Sequence, residues 1–245
     1  MGDHGNHRIG TSGWAYRWWR GAFYPEGLRQ GDWLAHYVRV FDTVEVNATF
    51  YRLPRPELLE RWRNLAPEGF LYAVKAPRRI THLRRLRDCG EELTAFLDAV
   101  RRLSSALGPL LYQLPPNLKA DAGLLRDFLS LLPGDLRHVM EFRHDSWFTG
   151  AIRSILEAHR CAFCIHDHHG MSVPRWITAP VAYWRFHGPA RGTCYGMERL
   201  ADPAAEIRRQ CAKGATVFAF FNNDAAACAP RDALALRDLL GDARP

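Results

Sequence analysis

Eight short apolar runs alternate with amphipathic helical stretches along the 245 residues, and this alternation constrains the fold more tightly than any other feature of the chain. The runs are 8–14, 43–50, 71–77, 108–116, 137–143, 161–167, 181–188 and 216–223. Between the first two, Trp33, Leu34, Tyr37, Val38 and Phe41 recur at helical spacing. Pro56 stands at a first helical turn before 57–66, and helical patterns follow at 92–107, 122–132, 150–159, 204–214 and 231–240. Strands that alternate with helices form a parallel sheet with helical crossovers. Eight such units in a chain of this length predict an α/β fold, a TIM-like (β/α)8 barrel. An open doubly wound sheet is the alternative, but the phosphate loop that usually follows its first strand is missing here. The sixth crossover is irregular, because 168–180 carries no convincing helix. With no linker in the pattern, residues 1–245 read as one barrel domain with a polar tail over 1–7.

Composition narrows the class. The chain is 47% hydrophobic and 24% charged, which supports a large core and excludes a disordered chain. It has no apolar run long enough for a membrane span and no apolar signal region at its start, so a cytoplasmic protein without membrane contact is expected. The formal charge is +7, and the densest basic stretch, 75–87, follows the third strand. The six cysteines are scattered. Cys161 and Cys164 lie three apart on a strand and face opposite ways, so they read as buried small hydrophobes rather than a redox or zinc pair.

Strand parity locates a candidate site. Side chains alternate across a strand, and in a barrel one face meets the helices while the other points inward. In TVEVNATF, Val44, Val46 and Ala48 take the outer face, which sends Glu45, Asn47 and Thr49 inward. The same exercise sends Lys75, Gln113, Glu141, Arg143, Arg185 and His187 inward from four other strands. Buried charges must be paired or neutralised. One reading is therefore a salt-bridge lattice that fills the barrel. The other is a polar pocket at the C-terminal mouth, where barrel enzymes place their chemistry. The loop 187–196 adds Arg191 among glycines, and 222–223 adds Asn222 and Asn223, where barrels often hold phosphate. Trp14 and Tyr51 are aromatic residues at strand ends suited to a flat ligand.

At this resolution of detail the chain resembles the YecE-like family, domain of unknown function 72. The matching segments are IGTSGWAY, FDTVEVNATFYRLP, FLYAVKAPRRITH, LGPLLYQLPP, EFRHDSWF, YWRFHGP and FNND, spread over about 9–240. The resemblance implies a TIM-like barrel, in agreement with the alternation, and implies no particular activity. Asp167 matches the family at the sixth strand, while His166, His168 and His169 depart from it.

The residues point to an enzyme acting on a small anionic substrate, such as a phosphate or carboxylate ester or a phosphosugar, by hydrolase- or lyase-type acid/base chemistry. Glu45, Lys75, Glu141 and His187 are the catalytic candidates. Asn47, Thr49, Tyr51, Gln113, Arg143, Asp167, Arg185, Arg191, Asn222, Asn223 and Trp14 are the candidates for ligand contact. No cofactor is predicted. A divalent metal at the cluster His166, Asp167, His168 and His169, with Glu45, Glu141 and His187 nearby, is a minor alternative, disfavoured by three competing cations. A nucleic-acid-binding or processing barrel, drawing on the basic stretch and the aromatics, is the second reading. A non-catalytic ligand-binding protein is the third.

Overall fold

The computed structural model describes residues 6–168, 170–189 and 193–241. The strands are β1 (His7–Thr11), β2 (Thr43–Val46), β3 (Leu71–Lys75), β4 (Leu107–Gln113), β5 (His138–Glu141), β6 (Ala162–His166), β7 (Val181–Phe186) and β8 (Thr216–Phe221). All neighbours pair in parallel, in the order β1-β8-β7-β6-β5-β4-β3-β2. The helices are α1 (Trp33–Val40), α2 (Pro56–Leu65), α3 (Gly90–Val100), α4 (Ala122–Ser130), α5 (Gly150–Ala158), α6 (Gly196–Ala212) and α7 (Cys228–Leu240). Eight parallel strands with helices between them make a nearly closed TIM-like barrel, as the alternation predicts.

The closing seam lies between β1 and β2. Only Ser12 and Glu45 bridge it as a strand pair, reinforced by the Gly13 N–H donating to the Glu45 carbonyl at 2.8 Å. The backbones approach so closely that a Cβ on Gly10 would lie 2.2 Å from the Thr43 carbonyl oxygen, so only glycine fits there. The buried Tyr37 hydroxyl, from α1, is inserted into this gap. It accepts from the Thr11 N–H at 2.9 Å and donates to the Thr43 carbonyl at 3.1 Å, satisfying groups that strand pairing leaves open.

Two apolar layers flank the sheet. The outer one packs Val44, Val46, Tyr72, Val74, Tyr112, Met140, Trp184 and Phe221 against helix residues such as Leu59, Phe96, Phe128 and Ile207. Helix α4 shows how sequence builds it. Asp121 caps the helix by accepting from the Leu124 N–H at 2.9 Å, and Leu124, Leu125, Phe128 and Leu129 form its buried stripe. Each such side chain contributes about 1.5–3 kcal/mol on burial. The inner layer holds Leu71, Ala73, Leu111, Val139, Cys164, Tyr183, Phe218 and Phe220 and fills the lower barrel. Cys161 belongs to the outer layer and Cys164 to the inner, so the pair faces opposite ways as parity requires.

Gly170, Pro174 and Pro180 interrupt the sixth crossover, and its described residues form no helix. Trp176 packs on Phe163 instead, with ring centroids 5.1 Å apart. Helix α6 begins earlier than the pattern suggests and carries Pro203 inside it. Among the described residues no helix is long and apolar enough to cross a membrane.

Candidate functional site

The barrel interior is tiered towards its C-terminal end. Above the apolar layer lies an ionic tier. Glu45 and Glu141 are fully buried, and Arg185 is 2% exposed between them. The Arg185 Nη2 and Nε donate to Glu45 Oε1 at 2.9 and 3.2 Å, and its Nη1 donates to Glu141 Oε2 at 2.8 Å. Glu45 also accepts from the Ser12 and Tyr183 hydroxyls, each at 2.7 Å. Glu141 accepts in addition from Arg143 Nε and from the Cys164 thiol at 3.7 Å. Burial alone would push the Glu141 carboxyl up, but the Arg185 and Arg143 guanidinium groups override it and hold it well below the usual range. Ser12 thus orients a carboxylate, and the salt-bridge lattice weighed from sequence exists.

Above this tier opens a mouth cavity of about 460 Å³. Its lining includes Lys75, Arg143 and Arg185, the imidazoles of His82, His168 and His187, and the amides of Asn47, Gln113 and Asn222. Phe50 and Tyr51 add to the wall, and among the described residues the lining contains no carboxylate. Lys75 Nζ donates to Gln113 Oε1 at 2.7 Å and lies 4.4 Å from the Phe50 ring centroid. Burial, followed by the Arg185 charge, lowers its pKa to about 8. His187 is pulled down to about 2, first by burial and then by Arg185, so it is neutral at physiological pH. Its Nε2 lies 3.1 Å from Arg143 Nη2 and its Nδ1 lies 3.1 Å from the Asn222 amide. A neutral imidazole that accepts from Arg143 carries its proton on Nδ1, so the Asn222 amide must turn its oxygen towards it. His166 is buried beside the cavity, with Nε2 bonded to the Phe142 carbonyl at 2.8 Å.

The inward parity of Glu45, Lys75, Gln113, Glu141, Arg143, Arg185 and His187 holds in all five strands. The structure gathers Lys75, His187, Asn47, Tyr51, Gln113, Arg143, Arg185 and Asn222 around the cavity, with Tyr51 76% exposed on its rim. Other expectations need correction. β2 ends at Val46 and the chain turns at Ala48–Phe50, so alternation stops before Thr49. The Thr49 hydroxyl faces away from the cavity and donates to the Lys75 carbonyl at 2.6 Å. Trp14 packs edge-on against Trp62 of α2, at 5.3 Å, in a loop core. Asp167 sits beside the mouth rather than in it, accepting from the His187 backbone N–H at 2.7 Å and from the Tyr195 hydroxyl. It lines a side cleft of about 520 Å³ left by the missing sixth helix.

The phosphate-holding corner after β7 and β8 is also different. Arg191, Gly192 and His169 lie outside the described residues. Asn223 points away from Asn222 and donates to Asp232 Oδ2 at 2.7 Å. The buried Asp232 carboxylate accepts from the Tyr195 and Gly196 backbone N–H groups at 3.0 and 3.3 Å. The chain's own carboxylate therefore takes the anion position at the start of α6. The basic stretch is partly neutralised at the surface: Arg79 and Arg84 pair with Glu92, and Arg87 pairs with Asp121. Cys194 and Cys228 form a disulfide, S–S 2.04 Å, a pairing that sequence reasoning did not single out. They lie 34 residues apart, and only the fold brings their two loops together.

Sequence reasoning passed over His82, Tyr183 and Tyr37. Tyr183 shares its parity with Arg185 and could have been found that way. His82 lies on a short helical turn, Arg79–Leu83, where strand alternation says nothing. Among the described residues no three His, Cys, Asp or Glu side chains converge as a metal site.

Comparison with known proteins agrees with this architecture. The chain is 35% identical over 127 residues to the UPF0759 protein YecE of Escherichia coli K12, covering 51% of this chain and 47% of the relative. It is 30% identical over 155 residues to the UPF0759 protein YunF of Bacillus subtilis 168, covering 58% and 52%. The matched segments span about half the length of these curated relatives. A crystal structure of a DUF72 family protein from Thermotoga maritima MSB8 superposes with a TM-score of 0.88 at 26% identity, over 96% of this chain and 99% of that one. The profile described as "Protein of unknown function DUF72" matches residues 8–245, and the chain belongs to that family.

Proposed function

We propose that the mouth cavity binds a small anion and that the protein is an enzyme acting on a compound that carries one. The observation behind this reading is the lining itself: among the described residues, three cations and no carboxylate. Glu45 and Glu141 lie beneath and are committed to Arg185 and Arg143, so they fix the floor rather than contact a ligand. That leaves Lys75, which has no carboxylate within ion-pair distance among the described residues, as the least compensated charge. Water-poor surroundings strengthen its attraction for a phosphate or carboxylate. Two carboxylates in ion pairs are poor general acids, which argues against glycosidase-type chemistry. The proton-transfer groups that reach the cavity are Lys75 and the imidazoles that line it.

Titration with sulfate, followed by amide and side-chain NMR, tests the reading. Shifts are expected at Lys75, Gln113 and Asn222, with saturation. Shifts confined to Arg78, Arg85 and other surface arginines would overturn it. A steep loss of affinity for an oligonucleotide with added salt, without a saturable sulfate site, would favour nucleic acid instead.

A further inference from the structure

The mouth places an amine where a carbonyl group can reach it. Of the 33 basic side chains only three are lysine: Lys75, Lys119 and Lys213. Lys119 lies in a loop and Lys213 at the end of α6, whereas Lys75 lies at the end of β3 inside the barrel. Arginine, the usual cation of this chain, cannot lose its proton under ordinary conditions, while lysine can. The Lys75 amine is flanked by the Phe50 ring and held by a neutral amide oxygen of Gln113 rather than by a carboxylate. A carboxylate would fix it as an ammonium ion. Burial favours the uncharged amine, and so do the Arg185 and Arg143 charges, against the opposing pull of Glu141 and Glu45. The cavity also holds groups for the rest of a ligand. Arg143 has its Nη1 without a hydrogen bond among the described residues, suited to an anionic group. The buried Asn47 Oδ1 finds no hydrogen-bond donor among the described residues, and it belongs to a residue of the cavity wall.

We propose that Lys75 forms a Schiff base with an aldehyde or ketone that carries a carboxylate or phosphate. The neutral Nζ lone pair adds to the carbonyl carbon, and a proton passes from the nitrogen to the carbonyl oxygen to give a neutral carbinolamine. The nitrogen loses a proton, the hydroxyl group takes one and departs as water, and an imine remains. Protonation of that imine gives an iminium ion, whose charge is offset by the ligand's own anion. The new C=N bond replaces the C=O bond, one water is released, and no oxidant or reductant is consumed. The Asn47 Oδ1 is an acceptor for the carbinolamine hydroxyl or for a hydroxyl of the ligand. This inference rests on the anion-binding reading of the same cavity.

Borohydride trapping tests it. The full chain is incubated with glyoxylate, and separately with dihydroxyacetone phosphate, then reduced with sodium borohydride and mapped by peptide mass spectrometry. With at least one of the two probes, Lys75 is expected to carry the reduced adduct at least tenfold more than Lys119, Lys213 or the terminal amine. Lys75→Arg should remove that adduct while keeping the wild-type circular dichroism spectrum. Sulfate titration of the wild type separates the two ideas. Saturable sulfate binding with Lys75 unmodified by both probes overturns the Schiff base and keeps the anion site. Labelling spread evenly over the three lysines overturns the proposal as well. A Lys75 adduct without any sulfate binding supports the amine chemistry and removes the anion reading.

Discussion

Replacing Glu141 with glutamine probes the ionic tier most directly. The carboxylate is fully buried, and its two oxygens take N–H groups from two different arginines. Two negative and two positive charges balance in wild type: Glu45, Glu141, Arg143 and Arg185. The glutamine leaves one positive charge in excess and points an amide N–H₂ at one of the guanidinium groups. Breaking a buried pair in this way costs about 3–5 kcal/mol. With a urea dependence of about 3 kcal/mol per molar, the midpoint should fall by roughly 1–1.7 M. The pH profile gives a second readout. Glu141 has a folded pKa below its unfolded value of about 4.3, so its stabilisation is complete above that value and is lost as pH falls through the folded pKa. The wild type should therefore lose stability on acidification more steeply than Glu141→Gln, and the two curves should converge at low pH. A midpoint shift equivalent to about 1 kcal/mol or less is what exposed pairs give. That result, with parallel acid limbs, would refute the picture of a dry, closed tier and place Glu141 in a wet site.

Four further outcomes are expected. Tyr37→Phe leaves the Thr11 N–H and the Thr43 carbonyl without their partner at the seam, costing about 1–3 kcal/mol by chemical denaturation; an unchanged midpoint would mean that water replaces the hydroxyl. Lys75→Met should weaken sulfate binding by about 10–100-fold, the equivalent of about 1.5–3 kcal/mol for a charged hydrogen bond, measured by calorimetry at pH 7. The same variant should be more stable than wild type at pH 7, because burial and Arg185 disfavour the ammonium form; wild-type stability should rise between about pH 8 and the unfolded lysine value as that proton is lost. In nitrogen-detected NMR the His187 ring should stay neutral from about pH 5 to 8, since burial and Arg185 pull it to about 2; a titration near the ordinary histidine value would show the mouth to be wetter than the structure implies.

The inner charges were legible from sequence because a strand repeats every two residues and the barrel has one inside. Glu45, Lys75, Glu141 and Arg185 followed from that rule alone. It did not reveal that Glu45 and Glu141 lie in a tier beneath the mouth that Lys75 lines, because parity gives the face of a residue and not its height. Thr49 and Trp14 were misplaced where the strand had already ended, so that local turn geometry decided where they point. Asn223 and Asp232 come together from a loop and a helix, and Cys194 and Cys228 from two loops, through the fold and not through any local pattern. The missing sixth helix was visible in the glycine and prolines of that segment, whereas the cleft it leaves was not.

The seam also bears on the order in which the chain is made. β1 is bonded along its whole length to β8, while it meets β2, its neighbour in sequence, through little more than the Ser12–Glu45 bridge and the Tyr37 hydroxyl. During synthesis the amino-terminal strand emerges first, yet its main partner emerges only after some 200 residues have followed. Until then β1 has an open edge, and α1 is the element at hand to cover part of it through Tyr37. In pulse-labelled hydrogen exchange during refolding, amides of β1 should gain protection together with those of β8, after β2–β5, so that the strand at the start of the chain is among the last to be fixed in place.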